Sequence, residues 1–103
     1  MTIIVKTEIT ITKGFGAWQK MVVSQTDKLK EMGISFLYAG TEEENPTKLH
    51  TAMCFDSLDA FKKFGADEEL TNQRREAGVI IETGKYTIIS SDFISNYPAP
   101  PKI

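Results

Sequence analysis

One histidine and one cysteine stand in this chain, His50 and Cys54, four residues apart in the stretch LHTAMCFDSLDAF. On a helix that spacing would stack them on one face, where the imidazole could take the thiol proton and leave a nucleophilic thiolate. On a strand the same spacing holds them roughly 13 Å apart, too far for a dyad. Their chemistry therefore depends on which element carries them. The run KLHTAMCF, from Lys48 to Phe55, is short, is bounded by the Asn45-Pro46 turn signal and reads as a strand. Cys54 then lies mid-strand with no Lys, Arg or His beside it to stabilise a thiolate, as a small buried hydrophobe does. A closed metal centre takes three or four ligands, more than one His and one Cys can supply, so no metal is expected. GFGAWQ holds only Gly14 and Gly16, neither a dinucleotide fingerprint nor a P-loop, and no cofactor is expected.

Strands and helices must position whatever chemistry remains. Thr2 to Thr12 alternates and is rich in β-branched residues, which predicts a strand. Phe15, Trp18, Val22, Leu29 and Met32 then recur at helical spacing up to Gly33, a C-cap position, and predict one helix. ISFLYAGT is a second strand, EEENPTK a loop, and KLHTAMCF the third strand. Asp56 or Ser57 caps a second helix at SLDAFKKF, which Gly65 and Asp67 break and restart before EELTNQRREAG. GKYTIISSDFI is the fourth strand. The order βαββαβ is the split-βαβ, ferredoxin-like α+β arrangement, a four-stranded antiparallel sheet with helices on one face. Residues 1–95 are expected to form a single domain, and residues 96–103, with three prolines, an extended tail.

A sheet with helices on one face must bury or solvate the other. In the first strand Ile3, Val5, Ile9 and Ile11 belong beneath the helices, leaving Ile4, Lys6, Glu8 and Thr10 on the second face. The same test puts Leu49, Met53 and Phe55 under the helices and His50, Ala52 and Cys54 opposite. Lys6, Glu8 and His50 could then surround one polar spot. An acid, a lysine and an imidazole in an apolar cavity can shift one another's titration and move protons near neutral pH. The simpler alternatives are a Lys6–Glu8 ion pair and a structural His50 at a strand end. Tyr38 and Tyr86 could add hydroxyls to the cavity, or pack with the hydroxyl at its edge.

Twelve Lys and Arg against fourteen Asp and Glu, spread along the chain, form no basic stripe, which argues against a nucleic-acid surface. No apolar run spans a bilayer, and MTIIVKTEIT lacks the pattern of a signal peptide. A single cysteine allows no internal disulfide, and a cytoplasmic location is expected.

The element order, the FDSLDAF entry from strand three into helix two, and GADEELTNQRREAG together resemble the dimeric α+β barrel superfamily, which includes antibiotic-biosynthesis monooxygenases and stress-responsive barrel proteins. The tail SSDFISNYPAPP is similar to that of a small, uncharacterised microbial family within it. The resemblance implies a homodimer whose two sheets face one another and enclose a ligand-sized cavity. Haem-binding members use a helix histidine, which neither helix here has. Two functions stay open: a barrel that binds a small apolar or aromatic molecule or acts in a stress-associated role, and a cofactor-independent monooxygenase or isomerase of a small aromatic or carbonyl compound. In either, Lys6, Glu8 and His50 are the ligand-binding candidates, with His50 or Glu8 the candidate base.

Overall fold

Eight elements follow one another in the computed structural model, which describes residues 2–94: β1 (Ile3–Ile11), α1 (Gly14–Ser24), α2 (Thr26–Glu31), β2 (Ile34–Thr41), β3 (Lys48–Phe55), α3 (Leu58–Ala66), α4 (Glu68–Glu76) and β4 (Val79–Ile89). The tail expected over 96–103 lies outside the described residues. The four strands make one antiparallel sheet in the order β2-β3-β1-β4, so β1 and β3 are central. This is the ferredoxin-like arrangement that the element order predicts.

Alternation in the two central strands decides the layers. Ile3, Val5, Ile9 and Ile11 from β1 and Leu49, Met53 and Phe55 from β3 pack with Trp18, Val22, Leu29 and Leu70 from the helices. Phe55 is the centre of an aromatic group, its ring edge-on to Phe61 at 5.3 Å and to Phe64 at 5.8 Å. Ile4, Ala52 and Cys54 lie on the opposite, uncovered face, where Leu37, Ile89 and Phe93 join them. The face assignment made from the sequence pattern holds in both strands.

Three departures from the expected elements have local causes. The first helix is two, broken at Gln25, where Ser24 Oγ donates to the Met21 carbonyl and Thr26 Oγ1 to the Val23 carbonyl. Such back-bonding hydroxyls compete with the helix ladder. The fourth strand starts at Val79 rather than Gly84 and ends at Ile89 rather than Ile94. Thr83-Gly84 looks like a turn signal, but it is an irregularity inside the strand. Thr10 pairs with Ile80 and Glu8 with Lys85, so the four residues 81–84 stand opposite Ile9 alone, and Thr83 Oγ1 accepts from the Thr10 N–H at 2.9 Å. In β2 the register shifts between Phe36 and Tyr38, which turns both Leu37 and Tyr38 to the uncovered face.

The caps follow the sequence. Ser57 accepts from the Ala60 N–H at 3.0 Å, and Asp67 accepts from the Leu70 N–H at 2.9 Å, restarting the helical layer as α4. Gly33 ends α2 with φ 77°, and a β-carbon there would strike the Asp56 carboxylate.

Candidate functional site

The uncovered face has two halves. At one end Ile4, Leu37 and Ala52 are buried, with Cys54, Ile89 and Phe93 packed against them. Burial raises the Cys54 thiol above its ordinary pKa, which favours the protonated thiol over the thiolate. At the other end the side chains are charged.

His50 organises the charged half. Register pairs it with Glu8 on β1 and Gly40 on β2, so the imidazole stands between an acid on β1 and Glu42, the residue just past the end of β2. Its Nε2 is hydrogen-bonded to Glu42 Oε2 at 2.6 Å, and its Nδ1 lies 3.8 Å from Glu8 Oε1. Lys48, two residues before His50 and so on the same face, reaches the other Glu8 oxygen at 3.7 Å. The result is a chain of alternating charge types, Glu42, His50, Glu8, Lys48. With Nε2 donating to Glu42, Nδ1 is the ring atom that can accept a proton from a bound molecule. The Glu42 bond fixes the ring's orientation, as a carboxylate does for a general base.

An open hollow of about 450 Å3 lies over this face, lined by Lys6, Glu8, Tyr38, His50, Lys85 and Thr87 among others. The three residues singled out from sequence therefore share one hollow, but only two of them meet. Lys6 forms no ion pair among the described residues; Lys48 takes the role beside Glu8 that the sequence offered to Lys6. Tyr38 lines the hollow as one of the two alternatives had it. Tyr86 pairs in register with Thr7, a position on the helix-covered side, and its ring packs edge-on against Phe61 at 5.3 Å. Tyr86 thus packs its ring under the helices while the residue still lines the hollow at its edge, the second of the two alternatives.

Glu42, Lys48 and Lys85 were not singled out by the sequence reading. Lys48 was legible, since it shares the alternation of His50. Glu42 was not, because EEEN reads as loop and only the β2–β3 pairing brings it back over the imidazole. Lys85 falls within the strand expected from Gly84, but only the β1–β4 register, which pairs it with Glu8, brings it to the hollow. Among the described residues no group of three or more His, Cys, Asp and Glu side chains could hold a metal ion. No helix among them is long and apolar enough to cross a membrane.

Solved structures carry the same arrangement. A candidate antibiotic-biosynthesis monooxygenase from Bordetella bronchiseptica superposes with a TM-score of 0.67 at 11% identity, over 89% of this chain and 98% of that one. SnoaB, a cofactor-independent oxygenase from Streptomyces nogalater, gives 0.60 at 10% identity over 93% and 98%. Rv0793 from Mycobacterium tuberculosis gives 0.64 at 11% identity over 93% and 100%. The chain shares their fold. The resemblance to the dimeric α+β barrel superfamily thus holds in architecture, and identities this low carry it no further. No protein-family model matches the sequence, and no curated protein does.

Proposed function

We propose that two copies of this chain pack through their uncovered sheet faces and that the hollow over His50 becomes an enclosed site for a small apolar or aromatic molecule bearing a polar or acidic group. The observation that carries this reading is the composition of that face. Ile4, Leu37 and Ala52 supply an apolar contact zone, and beside it Lys6, Glu8, Tyr38, His50 and Lys85 surround about 450 Å3, a ligand-sized volume. Among the described residues no helix packs on this face, and a second copy is the economical cover. A stress-associated binding role in the cytoplasm fits the sparse inventory of reactive groups. Native mass spectrometry of protein purified from its source tests the proposal. A species of twice 11.5 kDa that retains a small-molecule mass supports it, and an 11.5 kDa monomer at micromolar concentration overturns it.

One observation favours an enzymatic version of the same site. The 2.6 Å bond from His50 to Glu42 is the orienting contact that a base needs, and Nδ1 faces Glu8 at the hollow. In this version His50 removes a proton from a phenol or an enolisable carbonyl compound, and the closed barrel excludes water from a cofactor-independent oxygenation or isomerisation. Oxygen uptake and isomer formation with a panel of hydroquinones and cyclic enones would report it. Activity that falls about 100-fold or more in His50→Gln and less in Glu42→Gln is the expected pattern, and equal activity in His50→Gln refutes the base assignment.

A further inference from the structure

The apolar, helix-covered face of the sheet is interrupted at its centre. Thr7 stands between Val5 and Ile9, Thr51 between Leu49 and Met53, and the register sets the two threonines directly opposite each other. Thr51 is 6% exposed, and neither hydroxyl has a hydrogen-bond partner among the described residues. A hydroxyl shielded from water without a partner is destabilising, and Thr51 sets one at mid-core beside the half-buried Thr7.

A cavity of about 70 Å3 lies over the pair, between sheet and helices, with Trp18, Met21, Phe36 and Met53 in its wall. Two further polar side chains line it, Gln25 from the α1–α2 break and Arg74 from α4. Gln25 is 5% exposed and is held by a 2.7 Å bond from its Nε2 to Gln73 Oε1. Arg74 lies over the Phe64 ring, its Cζ 4.8 Å from the centroid, and its Nη2 donates to Thr71 Oγ1 at 3.3 Å. Its Nε is buried without a hydrogen-bond partner.

The adjacent residue is a built-in contrast. Arg75 is gripped by both oxygens of Glu82, at 3.0 and 2.5 Å, whereas Arg74 pairs with no carboxylate among the described residues. Burial and the like charge of Arg75 both lower the Arg74 pKa, yet a guanidinium stays protonated in a protein. A desolvated, permanent cation with a free donor is met by an anion or by water.

We propose that this cavity, which meets the hollow over His50 only at Thr7 and Thr51, is a second ligand site on the helix-covered side of the sheet, and that it takes a small monocarboxylate of about two to four carbons. The carboxylate accepts from Arg74 Nε and from the hydroxyls of Thr7 and Thr51. The short hydrocarbon end lies against Trp18, Met21 and Met53. Size agrees: a water needs roughly 10–15 Å3 of such space, so about 70 Å3 admits on the order of five non-hydrogen atoms. The mostly apolar wall favours a carboxylate with a hydrocarbon end over a bare inorganic ion.

Trp18 is the only tryptophan, so a single indole N–H resonance reports on the cavity. Isotope-labelled protein titrated with sodium propionate, against sodium chloride at matched ionic strength, should show a saturable propionate shift of that signal. Arg74→Met should weaken it by about tenfold or more and Thr51→Val by a few-fold, because each removes a donor to the carboxylate. His50→Gln should leave it unchanged, which separates this site from the open-face hollow. Thr51→Val keeps the side-chain shape and removes an unpaired hydroxyl, so its thermal midpoint should hold or rise; loss of binding in that variant is then not loss of fold. An indole signal that chloride shifts as propionate does, that does not saturate, or that titrates alike in the parent and Thr51→Val means a cavity filled by water alone and overturns the proposal.

Discussion

Leu49 and His50 are consecutive residues of β3, yet Leu49 is 1% exposed beneath the helices while the His50 side chain is 35% exposed on the other face. Along the two central strands the helix-covered face is apolar except where Thr7 and Thr51 meet, and rings and aliphatic chains interdigitate over it. The uncovered face divides instead into a hydrophobic end and a charged end. The comparison separates two kinds of burial. On one face the chain completes its own core. On the other it gathers a small apolar cluster and leaves charged groups beside it, the composition on which the proposed interface and site rest.

Adjacent substitutions in β3 can break this comparison most directly. Phe55→Ala removes a fully buried ring that two other aromatic rings contact, and should cost about 3–5 kcal/mol in urea unfolding, whereas Cys54→Ala on the opposite face should cost less than about 1 kcal/mol. Similar losses at the two positions would mean that the uncovered face is as much a core as the covered one. Next in effect, Ala52→Glu places a charge at the centre of the uncovered face. Sedimentation should then show a monomer with unchanged far-UV circular dichroism; a persistent dimer would move the interface elsewhere.

The remaining two measurements sharpen the covered side by loosening what holds its helices. Ser57→Ala deletes the acceptor for the Ala60 N–H and should cost about 1 kcal/mol in thermal or urea unfolding. Asp67 gives the smallest effect and the one that depends on pH. The Leu70 N–H and Lys28 hold its carboxyl below the ordinary 3.8, so its contribution is present above that value and is lost as pH falls through the folded pKa. Asp67→Asn should therefore flatten the decline in stability below about pH 4, while a decline as steep as the parent's would assign acid sensitivity to other carboxylates.

Period-2 alternation made the faces of β1 and β3 legible from sequence, and the caps at Ser57, Asp67 and Gly33 followed from residue type. What escaped was set by pairing rather than by pattern. Gln25 interrupts a helical periodicity that continues through it, because Ser24 and Thr26 turn back on the preceding carbonyls. Thr83 and Gly84 carry turn chemistry but are absorbed into β4, where Thr83 substitutes its hydroxyl for a missing ladder contact to Thr10. The site was legible in the same proportion. His50 and Glu8 follow from strand alternation and register, while Glu42 reaches His50 only through the β2–β3 connection, which no local rule encodes. Nor does any local rule bring Arg74 and Thr51 to one cavity.

Phe93 gives the uncovered face a cost of its own. Beyond the end of β4 this ring already rests on the cluster of Ile4, Leu37 and Ala52. Any surface that takes that place must first displace a tethered competitor whose effective concentration is set by a few residues of chain. The affinity seen from outside is then the intrinsic affinity reduced by the fraction of molecules in which the ring is away. A chain shortened to end before Phe93 would carry no such handicap.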